Sequence, residues 1–383
     1  QYFFEQMHMD DAIYADESIY EYPMQQGGGN DGRPYSFGRP SSGGSKAAYP
    51  CKSYGQGRIN PAYFYGVFDP NDMRRDVSIT MTGSNGKGVE KLIPFVPNSK
   101  AEGGGLTLNK WDENRQANPW VAAQRKSGIN GPYMRMSEVY LGYAEVCAAL
   151  GDVVTGKQYL KTVRERSFPQ GLANTDAFIA SFGNDLVRAI IEERGFEYAG
   201  EGDRRWTLIR SGYLPEDIKR IKDMTKAMMD GLATKGYYEF ENGNIISAYI
   251  WTKLVDAKTI YGHRLTAQCP TDKVNDPVFH PGWRGQKDNW EEMGLNYGSS
   301  TPATNLAIKG LFEIVSEEEA ASLESQGYAK VNWGIDLVDY RDEYDKYLFW
   351  DYDYVSAPIY LWPFTPNVMA AGGFTNGYGF KQE

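Results

Sequence analysis

Apolar positions recur with a helical period in the middle of the chain. Residues 132–150 carry apolar side chains three or four positions apart, as one face of a helix requires; these are Val139, Tyr143, Val146, Cys147 and Leu150. Gly151 ends this predicted helix. Residues 155–167 predict a second helix with Tyr159, Leu160 and Val163 on one side, so that the two helices form a hairpin.

Further helices follow along the chain. Residues 175–200 predict a long helix that begins with a capping signal at "NTDAF" and carries apolar residues near one face: Phe178, Phe182, Leu186, Ile190 and Phe196. Asp203 is placed to cap a short helix that contains Trp206. Helices are also predicted over 215–235 and, with an acidic composition, over 316–327.

The flanking regions predict little regular structure. Strand-like patterns occur at 19–22, after a short predicted helix, and at 91–96 and 106–111. Residues 25–65 and 280–298 are rich in Gly and Pro, which exclude regular elements. We therefore predict a mainly α fold with tetratricopeptide-like helical repeats, large irregular loops and a few short strands. It divides into a loop-rich segment with ligand-binding loops (1–131), the helical hairpins and a signature helix–turn–helix (132–235), and a loop-rich carboxy-terminal region (236–383).

Charge and composition narrow the function classes. The net charge of −10 over 383 residues disfavours nucleic-acid binding, which needs a basic face, and no apolar run approaches the roughly 20 residues that span a bilayer. Three cysteines and three histidines without metal-ligand spacing predict no zinc site, and no motif predicts a cofactor. We predict Cys147 to be a core residue, and a disulfide between Cys51 and Cys269 stays open.

The densest group of charges, "IIEERGFEYAGEGDRRWTLIRSG" (190–212), has two interpretations. Glu193, Glu197 and Glu201 are four residues apart and share a helix face. Paired carboxylates perform glycoside hydrolysis, but they flank the substrate from opposite sides, which one solvated helix stripe does not provide. We therefore predict a helix–turn–helix brace in which these glutamates pair with Arg204 or Arg205. In it, Gly200 and Gly202 form the turn, and Phe196 and Trp206 face inward.

Four segments in order resemble one family. "AIIEERGFEYAGEGDRRWTLIRSG" (189–212), "PYMRMSEVYLGYAEVCAALGD" (132–152), "FDPNDMRRDVSIT" (68–80) and "YLWPFTPNVM" (360–369) resemble the motifs of SusD/RagB outer-membrane nutrient-binding lipoproteins. The tail "AAGGFTNGYGF" departs from the family's Asn/Pro-rich ending. The family's amino-terminal lipoprotein cysteine and first helical repeats are not found, so we expect a carboxy-terminal part of a longer protein.

The resemblance implies a function without catalysis. It implies a glycan-binding protein on the surface of the outer membrane of a Gram-negative, Bacteroidetes-like bacterium, held there by a lipid anchor outside this chain. Its partner would be a SusC-like TonB-dependent transporter, to which it hands oligosaccharides. A peptide-binding member of the same family is the first alternative, and a glycoside hydrolase is the second.

The family's ligand residues lie on variable loops, so candidates must come from the chemistry of sugar recognition. Sugars need flat aromatic faces for their C–H surfaces and planar polar groups for their hydroxyls. Two Gly/Pro-rich loops offer both. The predicted ligand-binding residues are Tyr35, Arg39, Tyr54, Arg58, Asn60 and Tyr63 in the first loop, and Trp283, Arg284, Asn289 and Trp290 in the second. Trp111 and Trp120 are weaker candidates, and we predict that Trp111 belongs to the core.

Overall fold

The computed structural model of this chain describes residues 17–24, 38, 59–84, 90–92, 106–111, 130–169, 171–256, 304–333, 364–373 and 375. In these ranges the α-helices are α1 (Arg74–Ser78), α2 (Met136–Ala149), α3 (Val153–Glu165), α4 (Thr175–Ala180), α5 (Leu186–Glu197), α6 (Arg204–Ser211), α7 (Leu214–Lys235), α8 (Glu317–Ser325) and α9 (Pro366–Gly372). The strands are β1 (Ser18–Tyr22), β2 (Ile79–Thr80), β3 (Thr82–Ser84), β4 (Glu90–Leu92), β5 (Thr107–Leu108), β6 (Gly131–Arg135), β7 (Tyr237–Glu239), β8 (Ile245–Ser247), β9 (Tyr249–Asp256), β10 (Thr304–Lys309) and β11 (Ala329–Asn332). The prediction of a mainly α fold with a few short strands is confirmed.

The predicted first hairpin is present as α2 and α3. Gly151 ends α2 with a left-handed φ of 87°, a conformation that glycine adopts at little cost, and the Asp152 carboxylate then caps α3 by accepting from the Thr155 N–H at 3.1 Å. Helix α2 starts at Met136 rather than at residue 132, because residues 131–135 are taken up by strand β6, which pairs with β1.

The buried face of α2 differs from the predicted one. Ser137, Leu141, Ala144 and Cys147 are buried, as predicted for Cys147 alone. The other apolar residues of the predicted face, Val139, Tyr143, Val146 and Leu150, are exposed. The helix thus presents apolar residues on two sides, and only the side that packs on α3 and α5 belongs to the core.

The long helix predicted over 175–200 is two helices. Asn174 caps α4 as predicted, accepting from the Ala177 N–H at 3.0 Å. Gly183 and Asn184 then both adopt a φ of 64°, which breaks the helix. Asp185 starts α5 by accepting from the Arg188 N–H at 3.0 Å, and α5 ends at Glu197, three residues before the predicted end.

The turn after α5 follows the predicted pattern in part. Gly200 and Gly202 have φ values of 79° and 95°, and Phe196 is buried, as predicted. The prediction that Trp206 faces inward is wrong, because its side chain is 53% exposed. Asp203 lies at the cap position of α6, but its carboxylate accepts from the Thr207 hydroxyl at 2.8 Å instead of from a first-turn N–H.

The remaining predicted elements in the described ranges are largely confirmed. Helix α7 corresponds to the helix expected at 215–235, and α8 begins with a capping box between Ser316 and Glu319. Strand β1 corresponds to the strand expected at 19–22. Strand β4 covers the first two residues of the strand expected at 91–96, whose remainder lies outside the described residues. Of the strand expected at 106–111, β5 covers only Thr107 and Leu108, and Trp111 is buried as predicted. The short helix expected before β1 lies outside the described residues.

A π-helix, Ala62–Val67, sits between the helices and the small sheets. The side chain of Asn60 begins it by accepting from the N–H groups of Ala62 and Tyr63 at 2.8 and 3.2 Å. At its other end, the Asn244 amide donates to the carbonyls of Gly66 and Phe68 at 3.0 and 2.8 Å. These side-chain contacts satisfy backbone groups that the helix itself leaves unpaired.

Two main apolar clusters form the core. One joins the π-helix to α7 and to the sheet in which β9 pairs antiparallel with β10 and β11. The other fills the space between α2, α3, α4 and α5 and contains Leu141, Leu160 and Ile190, each fully buried. Helix α5 contributes to both clusters, so its charged residues lie deep in the molecule. The predicted boundaries at residues 131 and 235 stay a prediction.

Candidate ligand-binding site

The charge-dense helix α5 is buried rather than solvated. Glu193 and Glu197 are 0% and 4% exposed. The Glu193 carboxylate accepts from Arg74 Nη1 at 2.6 Å and from Arg164 Nη1 at 2.9 Å. The prediction of a brace is therefore confirmed, but the expected solvated face is wrong. Arginines from other elements occupy these carboxylates.

The same brace continues through Glu197 and Glu201. Glu197 accepts from Arg74 Nη1 at 3.0 Å and from Arg166 Nη2 at 2.6 Å, and it also pairs with Arg135. Glu201 accepts from Arg135 Nη2 at 2.9 Å. We call the whole group the ionic brace; its members are Glu17, Asp72, Arg74, Lys110, Arg135, Arg164, Arg166, Glu193, Glu197 and Glu201.

Arg204 belongs to a second, neighbouring group of charges. Its Nη2 donates to Glu192 Oε2 at 2.8 Å and to Asp217 Oδ2 at 3.0 Å, and Arg220 contacts the same two carboxylates. The expected pairing of Arg204 with Glu193, Glu197 or Glu201 is therefore wrong. Successive residues of an α-helix point about 100° apart around its axis. Glu192 and Glu193 therefore face different sides of α5 and pair with different groups of arginines.

Electrostatics keep the carboxylates of Glu197 and Glu17 ionised. Burial alone raises the pKa of Glu197, but Arg135, Arg166 and Arg74 outweigh it and hold the pKa well below its usual range. Burial likewise raises the pKa of Glu17, and the hydrogen bond from Arg166 with the charge of Arg135 lowers it overall. Three of the four family-like segments meet here, since Arg74, Arg135 and the glutamates of α5 come from 68–80, 132–152 and 189–212. The brace is therefore structural, with no carboxylate left free to act on a substrate.

A pocket of about 830 Å³ opens beside the brace, within the range of roughly 300–1,000 Å³ typical of ligand sites. Its described lining comes from α3, α4, α5, α7, the end of the π-helix with the residues that follow it, and the β7–β8 hairpin. Its lining residues include Asp69, Arg164, Asn174, Phe178, Ser181, Phe182, Glu192, Phe196, Arg220, Asp223, Met224, Tyr238, Phe240, Glu241, Asn242 and Asn244.

Aromatic rings supply the apolar surface of this pocket. Phe178 and Phe182 pack edge to face with centroids 5.2 Å apart, and Tyr238 packs in the same way on Phe240 at 4.8 Å. Phe178, Phe182 and Tyr238 are half-buried, so part of each ring faces solvent. The Arg164 guanidinium lies 3.9 Å from the centroid of the Phe178 ring, and this cation–π contact helps to hold the ring in place.

Two of the ten predicted ligand residues lie in the described ranges. Asn60 caps the π-helix, and its Nδ2 donates to the Thr225 hydroxyl at 2.9 Å. Tyr63 packs edge to face on Phe64 and Phe68, with its hydroxyl buried, and burial raises its pKa. Neither residue lines the pocket. The other eight lie outside the described residues: Tyr35, Arg39, Tyr54, Arg58, Trp283, Arg284, Asn289 and Trp290. A ligand-binding role for all ten stays a prediction.

Sequence reasoning missed the pocket. The sequence signals for this pocket are weak. They consist of the alternation of Tyr238 and Phe240 and of the Asn242–Gly243–Asn244 turn, in which Gly243 has a φ of 83°. In the described ranges, no cluster of His, Cys, Asp or Glu has the arrangement of a metal site. No helix there is both long and apolar enough to cross a membrane.

Comparison with known proteins identifies the family. The model of the SusD family matches residues 11–363, so the chain belongs to the SusD family. SusD-like protein P25 of Formosa agariphila is 28% identical over 160 residues, which are 42% of this chain and 26% of that protein.

Solved structures give partial matches. Surface glycan-binding protein A of Bacteroides thetaiotaomicron is 19% identical with a TM-score of 0.41, covering 56% of this chain and 46% of that one. Its complex with laminarihexaose is 20% identical with a TM-score of 0.37, covering 52% and 44%. The chain thus spans about a quarter of the curated relative and less than half of these structures.

Proposed function

We propose that this protein binds oligosaccharides at the bacterial cell surface and passes them to a SusC-like TonB-dependent transporter. Membership of the SusD family over residues 11–363 is the observation that carries this proposal. The location on the outer membrane of a Bacteroidetes-like bacterium, through a lipid anchor, is part of the same proposal. The protein acts by binding, without catalysis.

The chemistry of the chain supports a sugar ligand. The chain contains 28 Tyr and 9 Trp, side chains that combine a flat apolar face with a polar edge. In the proposal, the predicted loop residues around Trp283 and Trp290 supply such faces, and Arg284 and Asn289 supply donors for sugar hydroxyls.

A glycan array followed by calorimetry tests the proposal. We expect saturable binding of at least one oligosaccharide, and Trp283→Ala or Trp290→Ala should weaken it at least tenfold while thermal stability changes little. Trp206→Ala is the matched control, since Trp206 is an exposed tryptophan on α6 that does not line the pocket. Unchanged affinity in both loop variants would contradict the loop assignment.

Two further arms distinguish the alternatives. Incubation with the bound glycan should release no new reducing ends, because the buried glutamates of α5 are paired with arginines. Turnover would establish a glycoside hydrolase instead. A peptide library should show no binding that competes with the glycan; competition by a peptide at lower concentration than the glycan would favour the peptide-binding alternative.

An exposed apolar stripe supports the protein partner in this proposal. Met136, Val139, Tyr143, Val146 and Leu150 follow one face of α2 at a spacing of three and four residues and are all exposed. Contiguous apolar surface of this kind is typical of protein interaction sites. We propose that the SusC-like transporter binds to this stripe.

Co-expression with the SusC-like transporter tests this part. Val146→Glu should reduce co-purification with the transporter at least tenfold, because it places a charge in the middle of the stripe. Ile314→Glu is the control, since Ile314 is equally exposed on another part of the surface. Equal co-purification of both variants would show that the stripe is not the docking surface.

A further inference from the structure

We infer that the pocket between α4, α7 and the β7–β8 hairpin is a second sugar-binding site and that it accepts an uncharged sugar. The inference rests on the proposed glycan binding. It adds a site lined by none of the ten predicted ligand residues, and a class of ligand.

The pocket combines apolar ring faces with polar groups at its edge. Phe182 on α4 and Tyr238 on β7 present half-buried rings from two different elements. Asn174, Asp223 and Glu241 are exposed residues in the same lining. A sugar ring needs both kinds of group, because its C–H faces are apolar and its rim carries hydroxyls.

Hydrogen bonds hold the β7–β8 hairpin in place without a ligand. Asn242 Nδ2 donates to the Gly66 carbonyl at 2.6 Å, and Asn244 Nδ2 donates to the Phe68 carbonyl at 2.8 Å. Gly66 also permits the Phe240 ring to lie against the π-helix, since a Cβ there would be 2.4 Å from that ring. A wall that is fixed before binding lowers the entropic cost of holding a ligand.

The part of the lining that the structure describes is negatively charged. It contains four carboxylates, of Asp69, Glu192, Asp223 and Glu241, and two guanidinium groups, of Arg164 and Arg220, for a formal charge of −2 over these residues.

Both guanidinium groups are already paired. Arg164 binds Glu193 at 2.9 Å, and Arg220 binds Glu192 and Asp217 at 3.1 and 2.7 Å. Among the lining residues that the structure describes, both cations are therefore already engaged by protein carboxylates, and neither is free to receive a uronate or a sulfate. An anionic sugar would meet the carboxylate of Glu241 and that of Asp223, which pairs with Lys219 one turn earlier on α7, whereas hydroxyl groups can donate to both.

A blocking variant tests the site without removing a core side chain. Ser181 is an exposed residue of the lining at the end of α4, and its hydroxyl donates to the carbonyl three residues earlier. Ser181→Trp should obstruct the pocket, so that calorimetric titration with a neutral glycan loses the binding event of the pocket and keeps that of the loops. Ser325→Trp is the matched control, because Ser325 ends α8 with the same backward hydrogen bond and is also exposed.

The ligand panel tests the charge selection. Laminarihexaose, maltohexaose, xylohexaose and the neutral members of a glycan array are compared with hexagalacturonate. We expect the bound glycans to be neutral, and hexagalacturonate to bind at least tenfold more weakly. Asp223→Asn together with Glu241→Gln should narrow that difference, since both side chains are exposed and keep their shape.

The outcomes separate this inference from the proposed function. Neutral binding that Ser181→Trp leaves unchanged, but Trp283→Ala abolishes, would overturn the pocket assignment and leave glycan capture intact. Preferential binding of hexagalacturonate would overturn the charge selection. Binding of no glycan at all would overturn both.

Discussion

Removing one charge from the ionic brace should strongly destabilise the protein. In Glu197→Gln the side chain keeps its shape but loses the charge that faces Arg74, Arg135 and Arg166. As described, the brace contains five carboxylates and five cations and is neutral. The variant leaves one buried cation in excess, and the amide offers a single acceptor in place of two carboxylate oxygens.

The magnitude follows from burial. Breaking a buried ion pair by removing one partner costs about 3–5 kcal/mol, because a charge stays buried without compensation. Glu197 is 4% exposed, and so is the Arg135 side chain, whereas the Arg166 side chain is 41% exposed and retains contact with water. We therefore expect a loss of about 3 kcal/mol in the free energy of unfolding, at the lower end of that range.

Urea unfolding at neutral pH, followed by circular dichroism, measures this loss. Glu165→Gln is the control, since Glu165 forms an exposed pair with Lys161 at 3.4 Å on α3, and such pairs contribute at most about 0.5 kcal/mol. If Glu197→Gln also lies within about 1 kcal/mol of the unmodified protein, the brace does not stabilise the fold as argued.

Three further predictions concern stability and are read from the same unfolding curves. The pKa of Glu197 is lowered in the folded protein, so its contribution to the free energy of unfolding should be complete above the ordinary glutamate pKa of about 4.3 and be lost as the pH falls through the folded pKa. If the free energy of unfolding of Glu197→Gln has the same pH dependence as that of the unmodified protein, this prediction is wrong. Leu141→Ala should lower the free energy of unfolding by about 2–5 kcal/mol and Val139→Ala by less than about 0.5 kcal/mol, because only Leu141 faces the core. A larger loss for Val139→Ala would show that the protein buries the face of α2 that periodicity predicts. Gly200→Ala should cost about 1–3 kcal/mol more than Gly202→Ala, since both have a positive φ but only at Gly200 would a Cβ lie 2.4 Å from a leucine side chain; equal losses would show that the backbone alone sets the cost.

Local patterns predicted the elements whose ends are fixed by nearby residues. The cap at Asn174, the capping box of α8 and the end of α2 at Gly151 involve side chains and backbone groups a few residues apart. The break between α4 and α5 was missed although its signal, Gly183 and Asn184 before a capping Asp, is also local. The apolar residues around it favoured one continuous helix.

Periodicity did not identify the buried face of α2 because both sides of this helix carry apolar residues. Tertiary packing selects the side with Leu141 and Ala144, which contacts α3 and α5. The stripe with Val139 and Val146 stays outside. An apolar period therefore predicts a helix here, but not which side the protein buries.

The charged segment shows what a local sequence motif can and cannot predict. Its glutamates were correctly interpreted as a brace, but their arginine partners lie far away in sequence, at Arg74, Arg135 and Arg164. Spacing within one helix cannot name such partners. The pocket was missed for the same reason, because its lining runs from Gly66 to Asn244 and only the fold brings these residues together.

Calorimetric titration of the protein with the oligosaccharides that an array selects tests glycan capture most directly. We predict saturable binding of a neutral oligosaccharide without release of new reducing ends. This binding should weaken in Trp283→Ala and in Ser181→Trp but not in Trp206→Ala. Absence of binding to every glycan on the array, or hydrolysis of the bound one, would contradict it.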